Sequence, residues 1–216
     1  MTLYEDLKSP ITLYHYWRSS SSWRVRWALL LKGVAFEKKH IHLVRGEQKK
    51  SEYLSVNPAG LVPCLVKDGR ALSESLAIIE WLDETYPDPP LLPKDPWQRA
   101  QSRELALIIA AGIQPLGNLR ALSRHSDQQE EREAWHRYFI ETGLSLFETK
   151  IQQWSGPFCM GQDLSIADIC LIPQIYNALR NRVDMKKYPR CWAIYEHCLT
   201  TPACAAASPA QQAEAE

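Results

Sequence analysis

The sequence has no excess of either charge, no paired-cysteine motif and no long apolar run. Lys plus Arg and Asp plus Glu each number 25, so no net field draws in nucleic acid or an anionic membrane, and binding has to be local. The six cysteines (Cys64, Cys159, Cys170, Cys191, Cys198, Cys204) form neither a C-x-x-C nor a short Cys/His ligand spacing. That excludes the common redox dithiol and zinc motifs and predicts reduced, mostly buried thiols. His40 and His42 share a strand face but have no further ligands, so no metal is expected. No apolar stretch approaches the roughly 20 residues needed to cross a bilayer, and MTLYEDLKSP lacks the basic and apolar regions of a signal peptide. The expectation is a cytoplasmic protein without a membrane or nucleic-acid partner.

What is present is ordinary for one or two globular domains: 45% hydrophobic and 23% charged residues in a chain of 216. The first ninety residues alternate short strand-like and helix-like pieces. ITLYHY (Ile11 to Tyr16) alternates as a strand, and Ser22 is placed to cap a helix from Trp23 to Lys32 that stops at Gly33. Phe36 to Leu43 reads as a strand and Gly46 to Leu54 as a short irregular helix. A strand from Pro63 to Lys67, an Asp68-Gly69 hairpin turn and a strand from Arg70 to Leu72 follow. Leu76, Ile79, Leu82 and Tyr86 then have helical spacing up to Pro87. Two strands joined by a helix lie parallel, and a tight hairpin makes the last two antiparallel. The result is a small mixed four-stranded sheet with helices, a thioredoxin-like α/β domain over residues 1–86.

PDPPLLPKDP (Pro87 to Pro96) has five prolines in ten residues and reads as the linker, 87–95. Residues 96–216 read as all-α. Asp95-Pro96 caps a helical stretch, Trp97 to Arg124, which Pro115 should kink, and Asp127 to Trp154 is the next. LSIAD forms a capping box, Ser165 with Asp168, opening a helix from Ile166 to about Asn181. Without a histidine relay that pair is structural. A last helix near Arg190 to Leu199 precedes AAASPAQQAEAE, expected to be frayed.

One stretch is unusual: WRSSSSWRVR (Trp17 to Arg26) puts four serines at a strand-to-helix corner. With the domain order above, this run followed by ALLLKG resembles the signature of the zeta-class glutathione transferases. NPAGLVPCL, SESLAIIEWL, AGIQPLGNL, LSIADICLIPQ and NALRNRVD are similar to segments of that class in the same order, so the resemblance covers nearly the whole chain. It implies a glutathione transferase fold, glutathione as cofactor, a homodimer and a cleft between the domains. The implied activity is that of maleylacetoacetate isomerase in tyrosine and phenylalanine breakdown, with transferase activity besides. Maleylpyruvate isomerase and a transferase or dehalogenase for small α-halo acids are the alternatives, and a non-catalytic glutathione-binding module is the alternative of another kind.

The chemistry suits the corner. A helix N-terminus exposes free N–H groups and a partial positive charge, and a hydroxyl adds a donor; both favour a thiolate. The resemblance implies Ser19 as the hydroxyl facing the glutathione sulfur, with Ser20 and Ser21 beside it as catalytic residues and Ser22 also in the binding loop. Ser21 stands where the class usually has cysteine. Val62-Pro63 is expected to be cis and to turn the Val62 backbone toward the cysteinyl part of glutathione. Glu74 and Ser75, at a helix start, are expected to hold the γ-glutamyl end, and Gln48 is a further contact by resemblance. Gln114, Asn118 and Arg180 match acceptor-side positions, Arg180 being suited to clamp a carboxylate of a small dicarboxylic acid. Arg18, Arg24 and Arg26 surround the corner, where they could assist or serve as surface and interface charges.

Overall fold

The computed structural model describes residues 9–215. They divide into two compact units, one running to Pro89 and resuming at Ala203, the other spanning Pro90–Pro202. The first unit contains β1 (Ile11–His15), α1 (Ser20–Leu31), β2 (Phe36–His40), a one-turn α2 (Ser51–Leu54), β3 (Cys64–Lys67), β4 (Arg70–Ser73) and α3 (Ser75–Thr85). The strand order is β2-β1-β3-β4. β1 and β2 are parallel, the other pairs antiparallel, as the connections required.

β1 buries Ile11, Leu13 and His15 and alternates as its sequence does. β2, FEKKH, is a charged and largely exposed edge, which discourages pairing with another chain. Asp68 and Gly69 both have positive φ (52° and 71°), the geometry of a two-residue hairpin turn matched to strand twist. α1 is buried nearly all round, including Trp23, Trp27, Arg24 and Arg26. α3 packs Ile78, Ile79 and Leu82 inward and lies against α1. Lys32 at the end of α1 pairs with Asp83 at 2.6 Å and donates to the Pro89 carbonyl at 2.5 Å.

The second unit is helical: α4 (Pro96–Ala110), α5 (Leu119–His125), α6 (Gln129–Ile151), α7 (Ile166–Arg180) and α8 (Pro189–Leu199). Asp95 caps α4 by accepting the Gln98 N–H at 2.9 Å. The expected kinked helix is in fact broken: Pro115 lies in a 3-10 turn, Gln114–Gly117, and the chain bends 55° into α5. α7 is the core helix, buried from Ile166 to Ile175 and packed on α4 and α8. Its capping box forms as read, and the Asp168 carboxylate also accepts the Cys159 N–H at 2.7 Å. Glu148 caps α8, its two oxygens accepting the Arg190 and Cys191 N–H groups at 2.9 Å each. The proline linker is packed: Leu91 and Leu92 are buried, and the Leu91 carbonyl accepts the Ile166 N–H.

The C-terminal tail departs from expectation. α9 (Pro202–Ala207) is followed by a 3-10 turn, Pro209–Gln211, and Cys204, Ala207, Pro209 and Gln212 are buried. Arg26 Nε donates to the Ala207 carbonyl at 3.0 Å and Lys38 to Gln212 at 3.1 Å. These long-range bonds, 181 and 174 residues apart in sequence, place the tail with the first unit rather than with the helices that precede it.

No disulfide joins any cysteine, and all six are buried. Burial pushes the Cys64 thiol up to about 11 and the Cys204 thiol to about 12. No single helix among the described residues is long and apolar enough to cross a membrane.

Candidate functional site

The serine corner starts one turn earlier than its sequence suggested. Ser19, not Ser22, is the N-cap of α1: its backbone is extended (φ −68°, ψ 123°) and its Oγ accepts the Ser22 N–H at 3.2 Å. Ser22 faces back, its Oγ accepting the Tyr16 N–H at 3.3 Å. The helix's own bonds begin with Trp23 N to Ser19 O, so the N–H groups of Ser20 and Ser21 precede the first internal bond and are available to an anion. The cap uses one lone pair of Ser19, leaving its hydroxyl proton to be donated. Ser20 and Ser21 are buried hydroxyls on the first turn.

Arg26 fixes the loop that leads into this corner. It donates to the Tyr16 and Trp17 carbonyls at 3.4 and 3.0 Å and lies 3.3 Å from His15 Nδ1. Burial, with help from the Arg26 charge, holds His15 down to about 3, so the imidazole is neutral and its Nδ1 can accept from the guanidinium. Arg18 lies over the Trp17 and Tyr16 rings at 5.4 and 6.0 Å.

The sheet register gathers the remaining candidates of the first unit. Cys64 pairs with Tyr14 at the end of β1 and with Ser73 at the end of β4. The corner, the Val62-Pro63 bond before β3 and the Glu74-Ser75 step after β4 therefore meet at one end of the sheet. Val62-Pro63 is cis, as expected. The preceding carbonyl, Leu61, is engaged by Tyr53 Oη and by Asn57 Nδ2 at 2.8 Å. Glu74 precedes α3 at φ 70°, ψ 115°, a costly backbone position for a non-glycine residue and one that concentrates at ligand sites. Its side chain is exposed and makes no cap, whereas Ser75 is buried and its Oγ accepts from Arg24 Nη1 at 3.2 Å. Gln48 sits in a 3-10 turn, Glu47–Lys49. Gly60, at φ 59°, lets that turn approach, since a Cβ there would lie 2.9 Å from the Gln48 carbonyl. Gln48 Oε1 is buried without a hydrogen-bond partner, an orphan acceptor that an incoming N–H would satisfy. Free N–H groups at the corner, an orphan acceptor and a strained residue at a second helix start suit a peptide-like anion.

In the second unit, Gln114 and Asn118 are joined, Nε2 to Oδ1 at 2.7 Å. Gly117 between them makes room for His136 of α6: a Cβ there would lie 2.0 Å from His136 Nε2. His136 is held below its ordinary range by burial and then by the Arg180 guanidinium, and it hydrogen-bonds Asn181. Gln114, Asn118, His136 and Arg180 therefore form one polar patch. Arg180 ends α7, exposed, with its guanidinium 6.0 Å from the Tyr176 ring centre.

Family models for the glutathione S-transferase N-terminal and C-terminal domains match residues 13–90 and 117–206. Maleylacetoacetate isomerase of Dictyostelium discoideum is 44% identical over 97% of this chain and 98% of its own length. The solved structure of a bacterial maleylpyruvate isomerase, described as a zeta-class glutathione S-transferase, superposes with TM-score 0.92 at 36% identity, covering 95% of this chain and all of the other. The chain belongs to the zeta-class glutathione S-transferase family. Maleylacetoacetate isomerase of Anaeromyxobacter dehalogenans is a further solved relative of this transferase (TM-score 0.87, 40% identity, 96% and 98% of the two chains), with glutathione bound in its active site. The same protein has also been solved with dicarboxyethyl glutathione and citrate.

Two features of this transferase were not read from its sequence. The Arg24–Ser75 pair spans 51 residues, and only the abundance of arginine around the corner hinted at it. His136 lies on an ordinary helix, and the one available hint was a glycine, Gly117, in a segment with no strand or hairpin to require it.

Proposed function

We infer that this zeta-class transferase is a glutathione-dependent isomerase that converts maleylacetoacetate to fumarylacetoacetate in tyrosine and phenylalanine breakdown. The observation that carries the reading is the capped serine corner at the sheet end shared with the cis-proline and α3. Glutathione, when bound, supplies a thiolate that adds reversibly to the cis double bond, so that rotation and loss of the thiol give the trans product. Ser19 donates its hydroxyl proton to that sulfur, and the N–H groups of Ser20 and Ser21 add the partial charge of the α1 N-terminus. The backbone of Val62, at the same end of the sheet, takes the cysteinyl amide; Gln48 Oε1 accepts from the tripeptide. Ser75 holds the γ-glutamyl carboxylate, and Glu74 its amino group. Ser22 braces the loop through Tyr16. Gln114, Asn118 and Arg180 receive the acceptor, Arg180 pairing with a carboxylate.

On this reading residues 1–86 are the glutathione domain, 87–95 the linker and 96–216 the acceptor domain, in a cytoplasmic homodimer. Dicarboxyethyl glutathione in a solved relative, whose group on the sulfur bears two carboxylates, supports an acid acceptor. The likeness to maleylpyruvate isomerase favours maleylpyruvate as the second candidate substrate. The test is the purified protein with maleylacetoacetate, maleylpyruvate and dichloroacetate, each with and without glutathione. Fastest turnover of maleylacetoacetate, only with glutathione, is expected; turnover of none would leave a binding module.

A further inference from the structure

Arg24 is an expensive residue with no evident use. Its side chain lies in α1 with 1% of the residue exposed. Nη1 donates to Ser75 Oγ at 3.2 Å, while Nε and Nη2 are buried without a hydrogen-bond partner. No carboxylate pairs with it among the described residues. A buried cation lacking a counter-charge is costly by itself and makes the approach of an anion correspondingly favourable. The one group it does hold, Ser75, opens the 11-residue helix α3, whose first N–H groups also favour an anion.

We propose that Arg24 is a positioning residue for the α-carboxylate of glutathione's γ-glutamyl end, acting through the Ser75 hydroxyl. The guanidinium has only donors, so it occupies an acceptor lone pair of Ser75 Oγ and leaves the serine proton to point away from it. Ser75 is thereby fixed as a donor, which suits a carboxylate and is wasted on a neutral or cationic group. The unpaired charge behind it adds to the N-terminal dipole of α3 rather than opposing it. This rests on the reading of α3 as the γ-glutamyl seat.

The test compares binding of glutathione with that of 4-aminobutanoyl-Cys-Gly, which lacks only that carboxylate, by calorimetry on the full-length protein. The parent should prefer glutathione by about ten-fold or more, the scale of one charge-assisted hydrogen bond. Arg24→Gln should weaken glutathione about ten-fold and leave the analogue within about two-fold. Added to Ser75→Ala, it should cost little further, because the two act as a unit. Equal weakening of both ligands, no weakening, or additive losses would overturn the proposal. Should Arg24→Gln fail to fold, Arg24→Lys keeps the charge but not the fork. It should weaken glutathione a few-fold with the analogue unmoved, and parallel shifts or none would count against the proposal. A parent that binds no glutathione would instead overturn the functional reading itself.

Discussion

Replacing Ser19 removes two things at once, and the structure allows them to be separated. As N-cap, Ser19 Oγ accepts the Ser22 N–H at 3.2 Å; alanine there should cost about 1 kcal/mol of stability, glycine only a few tenths. For a chain of this size that is a fall in Tm of about 2–4 °C for Ser19→Ala. On the proposed reading, the same hydroxyl would also make one hydrogen bond to the thiolate, a charged acceptor, worth about 1.5–3 kcal/mol. Its loss should raise the thiol pKa of bound glutathione by about one to two units and lower turnover on the order of 10²-fold. Ser19→Gly therefore isolates the chemistry: near-parental Tm, with the pKa and rate of the alanine variant. Ser19→Thr, which keeps cap and proton, should retain most of both. The assay is thiolate absorbance of the bound tripeptide against pH, with melting curves alongside. If Ser19→Gly turns over like the parent, the hydroxyl is only a cap and Ser20 or Ser21 activates the sulfur.

Arg180→Ala should raise KM for maleylacetoacetate about ten-fold, the lower part of the range for an Arg–carboxylate pair because the side chain is exposed. Glutathione affinity should hold, and unchanged KM would move the clamp elsewhere, with Arg18 next to test. Ser21→Cys should leave kinetics within a few-fold and add one thiol alkylated by iodoacetamide, because Ser21 keeps 8% exposure at the N-terminus of α1 whereas each native cysteine has 0%; a variant no more reactive than the parent refutes this. His15, fully buried and held at about 3 from an ordinary 6.5, takes up its proton mainly on unfolding. Its contribution is present above about pH 6.5 and lost as pH falls toward 3, on the order of 2 kcal/mol between pH 7 and 5. His15→Gln, which cannot titrate, should flatten that part of a denaturation series, and equal slopes for both proteins would refute the assignment.

How much was legible in the sequence depended on whether the signal was local. Strand alternation in ITLYHY, the Asp68-Gly69 turn and the Ser165–Asp168 box each lie within a few residues and reappear as read. The start of α1 was misplaced because four consecutive serines are all competent caps, and the choice of Ser19 depends on Ser22 bonding back to Tyr16. The tail was misjudged because its Ala, Gln and Glu composition carries no periodic face; its order comes from Arg26 and Lys38, far away in sequence. Of the candidate site, Ser19, Val62-Pro63, Glu74 and Ser75 could be named from motifs, and the register of β3 explains why they meet. Arg24 on Ser75 and His136 against Gly117 are tertiary pairings that no spacing rule reports.

The central claim is that glutathione is used and returned, and the most direct test is a balance sheet. Maleylacetoacetate in about hundred-fold excess over glutathione is converted by the purified protein while free thiol and trans product are followed together. The account predicts complete conversion to fumarylacetoacetate with the glutathione recovered, and no conversion when it is omitted. Thiol lost mole for mole with substrate, or isomerisation without glutathione, would contradict it.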